Sequence, residues 1–474
     1  MDAPPRPDAS EPPDGTIPPL RRALAQDPDN RALRARLAEA MLRQGRFLEA
    51  RDQTALLQDG SPAARFLAAW AALGAGDDGV PELLRGLPGE AAQCLDLAPR
   101  AGDQGRWDLA CELLARAAEL EPADPVPALR HAAALEYAAR FQEASAALEA
   151  LEGRFGDQPR VLAGIRFHRA TNRLLQGDLR EGFRLMEARL ALDPPRPMPL
   201  ARWEGGPLAG RKLILRAEQG YGDLFMFVRY APLLAARGAE VYLEPYFSAE
   251  AVLGTCPGIQ GVLQGSLSVP ADLLQVELLS LPLLCDTGPG TIPAPVPYLS
   301  VPAAVPNREA LTRALSGATG RRLGLVWSGA PGHARTRERN LPPEVLDLLG
   351  AVPGVTWFSL QKGDLPKPGL PLVDLAPLLS DFADTALALS LLDGLISVDT
   401  GIVHLAGAMG VPTWVLLAHL PDWRWGLEGD RTPWYPDLTL WRQEAHWDWP
   451  GVLARVAEAL TARPGSGGCP LPVR

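Results

Sequence analysis

Leu395-Ile-Ser-Val-Asp-Thr-Gly-Ile-Val-His-Leu-Ala-Gly-Ala-Met-Gly-Val-Pro412 compresses a short apolar strand, an acidic turn and a helical segment into one run. The strand is expected to end at Asp399, with Thr400 placed to cap the following helix and Gly401 keeping its first turn free of side-chain bulk. Free backbone amides and the positive end of the helix dipole then suit a diphosphate. His404, four residues beyond Thr400, shares its helical face, from which an imidazole reaches a phosphate or sugar oxygen.

The same alternation of short apolar runs and helical segments holds on both sides of this stretch. Strands are expected at Lys212 to Ala217, Glu240 to Leu243, Arg322 to Trp327, Val355 to Leu360, Gly394 to Val398 and Thr413 to Leu417, with a helix from about Leu224. Strands separated by helices imply parallel sheets covered on both faces. A Pro-rich stretch from Pro289 to Pro306 divides them, so the pattern reads as two Rossmann-like halves, residues 211–305 and 306–474, with ligands at the carboxyl ends of the strands. Residues 193–210, rich in Pro and Gly, read as a linker.

Residues 20–192 are different: Ala, Leu, Arg and Glu at helical spacing, broken by Gly or Asp-Pro. Gly45-Arg-Phe-Leu-Glu-Ala50, Gly105-Arg-Trp-Asp-Leu-Ala110, Ala139-Arg-Phe-Gln-Glu-Ala144 and Gly177-Asp-Leu-Arg-Glu-Gly182 recur, the last three 34 and 38 residues apart. That period is one helical hairpin. The wider gap before Gly105 implies a degenerate unit around Gly74 to Pro88. Asp27-Pro28-Asp29-Asn30 and Glu121-Pro122-Ala123-Asp124-Pro125 read as breaks between units. An irregular helical bundle is the alternative. Residues 1–19, with seven prolines, read as a disordered tail.

Composition narrows the function classes. The chain has 474 residues, 47% hydrophobic and 22% charged, enough for about three domains. A net charge of −10 opposes attraction to nucleic acid. Cysteines 94, 111, 256, 285 and 469 show no metal-ligand spacing, so neither a disulfide framework nor a metal site is expected, and no cofactor is implied. The amino terminus lacks the basic start and apolar run of a secretory leader, and the longest apolar stretch, Thr385 to Val398, is interrupted by Asp393 and is too short to span a bilayer. A cytoplasmic location is expected.

Ser-Val-Asp-Thr-Gly-Ile-Val-His-Leu-Ala-Gly-Ala-Met-Gly-Val-Pro-Thr-Trp-Val-Leu-Leu, from Ser397 to Leu417, followed by Asp422-Trp-Arg-Trp425 and Trp434-Tyr-Pro436, resembles the carboxyl-terminal half of family 9 glycosyltransferases, the heptosyltransferase relatives of the GT-B fold. Arg216-Ala-Glu-Gln-Gly-Tyr-Gly-Asp223, Phe227-Val-Arg-Tyr-Ala-Pro232, Gly324-Leu-Val-Trp-Ser-Gly329 and Ser359-Leu-Gln-Lys-Gly363 extend the resemblance over most of residues 203–462. The helical units resemble tetratricopeptide repeats, which bacterial members of that family often carry in front. The fold class expected is therefore α/α tetratricopeptide-like helical repeats followed by an α/β GT-B fold.

The resemblance implies transfer of a sugar from a nucleotide-sugar donor to an acceptor hydroxyl, inverting and without a metal. Asp223 matches the carboxylate proposed in that family to deprotonate the acceptor, a chemistry a carboxylate within hydrogen-bond reach can perform; the alternative is that Asp223 caps the helix at Leu224. Glu218, Gln219, Gly220 and Gly222 would line the acceptor side. Arg337 and Arg339, in the polar loop Ser328-Gly-Ala-Pro-Gly-His-Ala-Arg-Thr-Arg-Glu-Arg-Asn340, would neutralise the leaving diphosphate, and Ser328, Asp399, Thr400 and Gly401 would line the donor side with them. The loop departs from the family at Ala330 and Asn340. Seven of the twelve tryptophans fall between Trp414 and Trp449 and read either as core or as sugar-stacking surfaces; Asp422, Arg424 and Arg431 among them are candidates for the base or ribose. The acceptor is a glycan, a lipid-linked glycan or a protein, and the repeats offer a face to a protein partner. The rival reading is a noncatalytic repeat scaffold with a degenerate transferase domain.

Overall fold

A computed structural model describes residues 16–57, 60–77, 79–245, 247–263, 273–293, 295–329 and 336–461. Residues 1–15, most of the expected tail, and Cys469 lie outside them. The chain is an array of tetratricopeptide-like α/α hairpins followed by an α/β region of two Rossmann-like halves in the GT-B arrangement. Two compact units divide between Asn172 and Arg173. No helix among the described residues is long and apolar enough to cross a membrane.

The first unit begins earlier than the sequence reading has it. Its first helix is Ile17–Gln26, because Pro18 and Pro19 fall in the first turn, where proline needs no partner for its missing N–H. The hairpins that follow are Arg31–Arg43 with Phe47–Ala55, Pro62–Gly74 with Val80–Leu84, Glu90–Asp103 with Trp107–Leu120, and Pro125–Tyr137 with Phe141–Arg154. The expected degenerate unit is the second, its return helix Val80–Leu84 stopped after a turn and a half at Arg85 and the left-handed Gly86.

One turn repeats through the array. Arg46 N–H reaches Met41 O at 2.9 Å, Asp77 reaches Ala72, Arg106 reaches Ala101, and Arg140 reaches Leu135. The residue before each donor is left-handed: Gly45, Gly76, Gly105 and Ala139 have φ of 72°, 83°, 74° and 57°. Glycine adopts that conformation without penalty, whereas alanine at 139 is strained. Trp107 lies on Gly102 and stacks on Tyr137 at 4.1 Å, so the motif aromatic fills a helix crossing that any larger residue at 102 would block.

The expected boundary at 192/193 is moved by packing. Leu179–Met186, the second helix of the last hairpin motif, belongs with the α/β unit, where Phe183 is buried edge-on against Phe227, Trp423 and Trp434.

The first half is a parallel five-stranded sheet of β1 (Ala201–Arg202), β2 (Lys212–Arg216), β3 (Glu240–Glu244), β4 (Ile259–Val262) and β5 (Leu274–Glu277), in the order β1-β5-β2-β3-β4. The second is a parallel six-stranded sheet of β6 (Arg321–Val326), β7 (Val355–Ser359), β8 (Val373–Asp374), β9 (Gly394–Val398), β10 (Thr413–Leu417) and β11 (Leu438–Arg442), in the order β11-β10-β9-β6-β7-β8. β9 and β10 are buried throughout, as their unbroken apolar runs require. The strand order reverses between β2 and β5 in one half and between β6 and β9 in the other. Those are the crevices where ligands of open parallel sheets bind.

Candidate functional site

In the first half, β2 runs into the turn Ala217 to Gly220 and then the helix Tyr221–Phe227. This helix starts three residues before the expected Leu224, which puts Asp223 in its first turn rather than ahead of it. From there Asp223 Oδ2 accepts the Gly220 N–H at 3.3 Å, closing the helix start from inside. Its other oxygen is taken by the guanidinium of Arg424, which belongs to the second half.

Glu218 does not line the acceptor side with a free carboxylate. Both its oxygens are held by Arg189, at 2.7 and 2.9 Å, and one also accepts the Leu279 N–H at 2.9 Å. Burial raises its pKa above the usual carboxylate range even against these partners. Arg189 is itself buried and reaches Glu187 and Ser280, so the group is a structural knot tying residues before the linker to the switch point of the first sheet. Gln219 is exposed, in a left-handed conformation with φ of 58°.

In the second half, β6 leads to Ser328 and β9 to Asp399 and Thr400, side by side at the switch point. A Cβ on Gly329 would lie 3.6 Å from the Thr400 methyl. Gln361, quoted above in a motif but given no role, organises this crevice: its amide oxygen accepts the N–H groups of Trp327 and Ser328 at 3.0 and 2.8 Å, and its NH₂ donates to Ser328 O. Ser328 is buried and its hydroxyl turns back on Gly329 O. Thr400 occupies the cap position of the helix Gly401–Ala408, but its hydroxyl makes no cap and instead meets Ser397 Oγ at 3.3 Å. Arg339 stands 3.6 Å from Asp399. The loop 330–335 and the Arg337 side chain lie outside the described residues. Asp399 is buried, which with the nearby Asp422 raises its pKa.

His404 and Gly222 meet across the two halves. A Cβ on Gly222 would lie 2.9 Å from His404 Cδ2, and one on Gly401 would lie 3.5 Å from the Gly222 nitrogen and from Tyr221 Cβ. The two first turns thus face each other in van der Waals contact, with no room for a further group between Gly222 and Gly401. His404 stacks on Trp425 and places Nδ1 3.0 Å from the Tyr435 hydroxyl. Burial, then the positive charge of Arg424, pushes its pKa down to about 3, so the imidazole is neutral at ordinary pH.

Asp422, Trp423, Arg424 and Trp425 set the remaining charge. Asp422 accepts the Arg424 backbone N–H at 3.1 Å and its guanidinium at 2.7 Å, and that guanidinium lies 4.3 Å from the Trp423 ring centroid. Burial works against the Arg424 charge, but Asp223 and Asp422 hold its pKa above the ordinary range. Arg442 fixes the loop that follows by donating to the carbonyls of Trp425, Gly426, Glu428 and Gly429.

Aromatic packing surrounds the cluster. Phe382 of the second half sits 4.7 and 4.9 Å from the rings of Tyr221 and Phe225. Arg229, fully buried, donates to the Tyr298 hydroxyl and to Trp434 O. Trp414, Trp423, Trp425, Trp434 and Trp449 are buried, so core packing is their role here. Of the residues singled out in the sequence, Gly222 and Tyr221 next to Asp223 touch His404 and Gly401, and Arg339 lies beside Asp399. The sequence reading missed Arg424 as the partner of Asp223 and Tyr435 as the partner of His404.

No family model matches the chain. Protein FlbA of Caulobacter vibrioides is 28% identical over 341 residues, which are 64% of this chain and 56% of that protein. The chain thus spans just over half the length of the curated relative it matches. Among solved structures, a glycosyl transferase family 9 protein from Veillonella parvula aligns over 51% of this chain and 88% of its own, with 10% identity and a TM-score of 0.36. An O-GlcNAc transferase mutant from Thermobaculum terrenum aligns over 95% of this chain and 91% of its own, with 14% identity and a TM-score of 0.26.

Proposed function

We propose that the chain is a glycosyltransferase that moves a sugar from a nucleotide-sugar donor to an acceptor hydroxyl, with Asp223 as the base and inversion at the anomeric carbon. The observation that supports this reading is the meeting of two switch points: the first turn that carries Asp223 packs at Gly222 against His404 and Gly401 of the other half, and Arg424 of that half pairs with the Asp223 carboxylate. A diphosphate seated on the uncapped first turn of the helix Gly401–Ala408, beside Arg339 and Ser328, would leave the sugar directed at Asp223. His404, being neutral and tied to Tyr435, would orient the donor by hydrogen bonding rather than by charge. The repeats would bind a protein or present the acceptor, in a cytoplasmic setting.

The test is release of nucleoside diphosphate from a panel of activated sugars. Wild type should turn over at least one, and Asp223→Ala and His404→Ala should each slow release by about 100-fold or more. A second reading, a noncatalytic scaffold, is favoured by one observation: Asp223 is occupied by Arg424 while Phe225 and Met226 beside it are wholly buried. Tight nucleotide binding without turnover of any activated sugar would establish it instead.

A further inference from the structure

Arg424 carries more donors than its surroundings use. One Nη serves Asp223 and the other Asp422, while its Nε–H, sealed from solvent, meets no acceptor among the described residues. Arg339, across Asp399, has the same unmet and buried Nε–H. A buried guanidinium donor without an acceptor is costly. Two of them around one group of carboxylates, on the segments that follow β6 and β10, point to an anion that completes the set. The ion pair has a second effect: it joins the halves across the place where the first turns touch, and it occupies the oxygen that would accept a proton.

We infer that Arg424 is an exchangeable latch. Its guanidinium leaves Asp223 for a diphosphate oxygen when a nucleoside diphosphate enters, and this exchange both parts the two first turns and frees the Asp223 carboxylate. The inference rests on the nucleotide-sugar reading and adds an order of events to it: the donor's diphosphate must arrive before the base is competent. In the transfer that follows, the acceptor oxygen bonds to the anomeric carbon as the bond from that carbon to the diphosphate oxygen breaks. The bonding pair leaves on the diphosphate, held by Arg424 and Arg339, and the acceptor proton passes to Asp223. Arg424 acts on the base as a positioning residue, and the diphosphate is the competitor that displaces it.

Competition makes a prediction of unusual sign. Uridine, guanosine, adenosine, cytidine and thymidine diphosphates are titrated by calorimetry into the full chain and into Asp223→Asn, Arg424→Gln and the double variant. Removing the Asp223 charge should tighten binding about threefold or more, because the guanidinium no longer has to be withdrawn from a carboxylate. Arg424→Gln should weaken it about tenfold. In the Arg424→Gln background, Asp223→Asn should bring no gain, which separates exchange through Arg424 from simple loss of a repelling charge. Binding should also change the emission of Trp423, on which the guanidinium stacks, and Trp423→Phe or Arg424→Gln should abolish that change. Unchanged or weaker binding by Asp223→Asn, or an equal gain in both backgrounds, overturns the latch and leaves the nucleotide-sugar reading intact. Failure of all five diphosphates to bind either wild type or Asp223→Asn overturns that reading, and the latch with it.

Discussion

At the scale of single residues, burial decides which groups keep a charge. His404 is neutral because its site, closed by Gly222, Trp425 and Tyr435, refuses a proton down to about pH 3, whereas an imidazole in the unfolded chain takes one near pH 6.5. Between those values the unfolded chain binds more protons, so stability falls as the pH is lowered through that window. Going from pH 7 to pH 5, this group should cost about 2 kcal/mol. The measurement is the urea unfolding free energy of wild type and His404→Gln at both pH values: the wild type should lose about that much more on acidification, and parallel losses would refute the assignment. The sequence could show His404 and Asp223 as site candidates because each follows a strand in a short motif. It could not show that Arg424 pairs with Asp223, 201 positions away; no local spacing encodes a contact that depends on how two sheets meet.

Elements were legible where their physics is local. The strands β9 and β10, buried on both faces, read as unbroken apolar runs, whereas β1, β8 and β4 did not, since two to four residues at a sheet margin carry no usable period. The recurrent hairpin turn was legible through its glycines, and the one alanine in the series supplies a test. Ala139→Gly should raise stability by about 1 kcal/mol by relieving the left-handed strain, seen as a higher urea midpoint at unchanged slope. The opposite change at the meeting of the two first turns should be harmful. Gly222→Ala would drive a methyl into the His404 ring and should destabilise by roughly 1–3 kcal/mol, and a crystal or NMR structure of the variant should show the helices Tyr221–Phe227 and Gly401–Ala408 further apart. Wild-type stability in Gly222→Ala would mean that the contact is loose.

For the whole molecule, composition and periodicity separate a helical array from an α/β region but misplace the seam between them. The Pro-rich segment after Asp193 is a conspicuous break in the sequence, yet it lies inside the second compact unit, because Phe183 and Arg189 on its amino-terminal side are packed and ion-paired beyond it. Anyone trimming the gene at that visible break would therefore cut through a folded body. A fragment starting at 193 would lose the counter-ion of Glu218 and the ring that fills the space among Phe227, Trp423 and Trp434, and should elute as aggregate in gel filtration. One starting at 173 keeps both and should elute as a discrete species, so the usable start codon for the α/β region lies upstream of where the prolines advertise it.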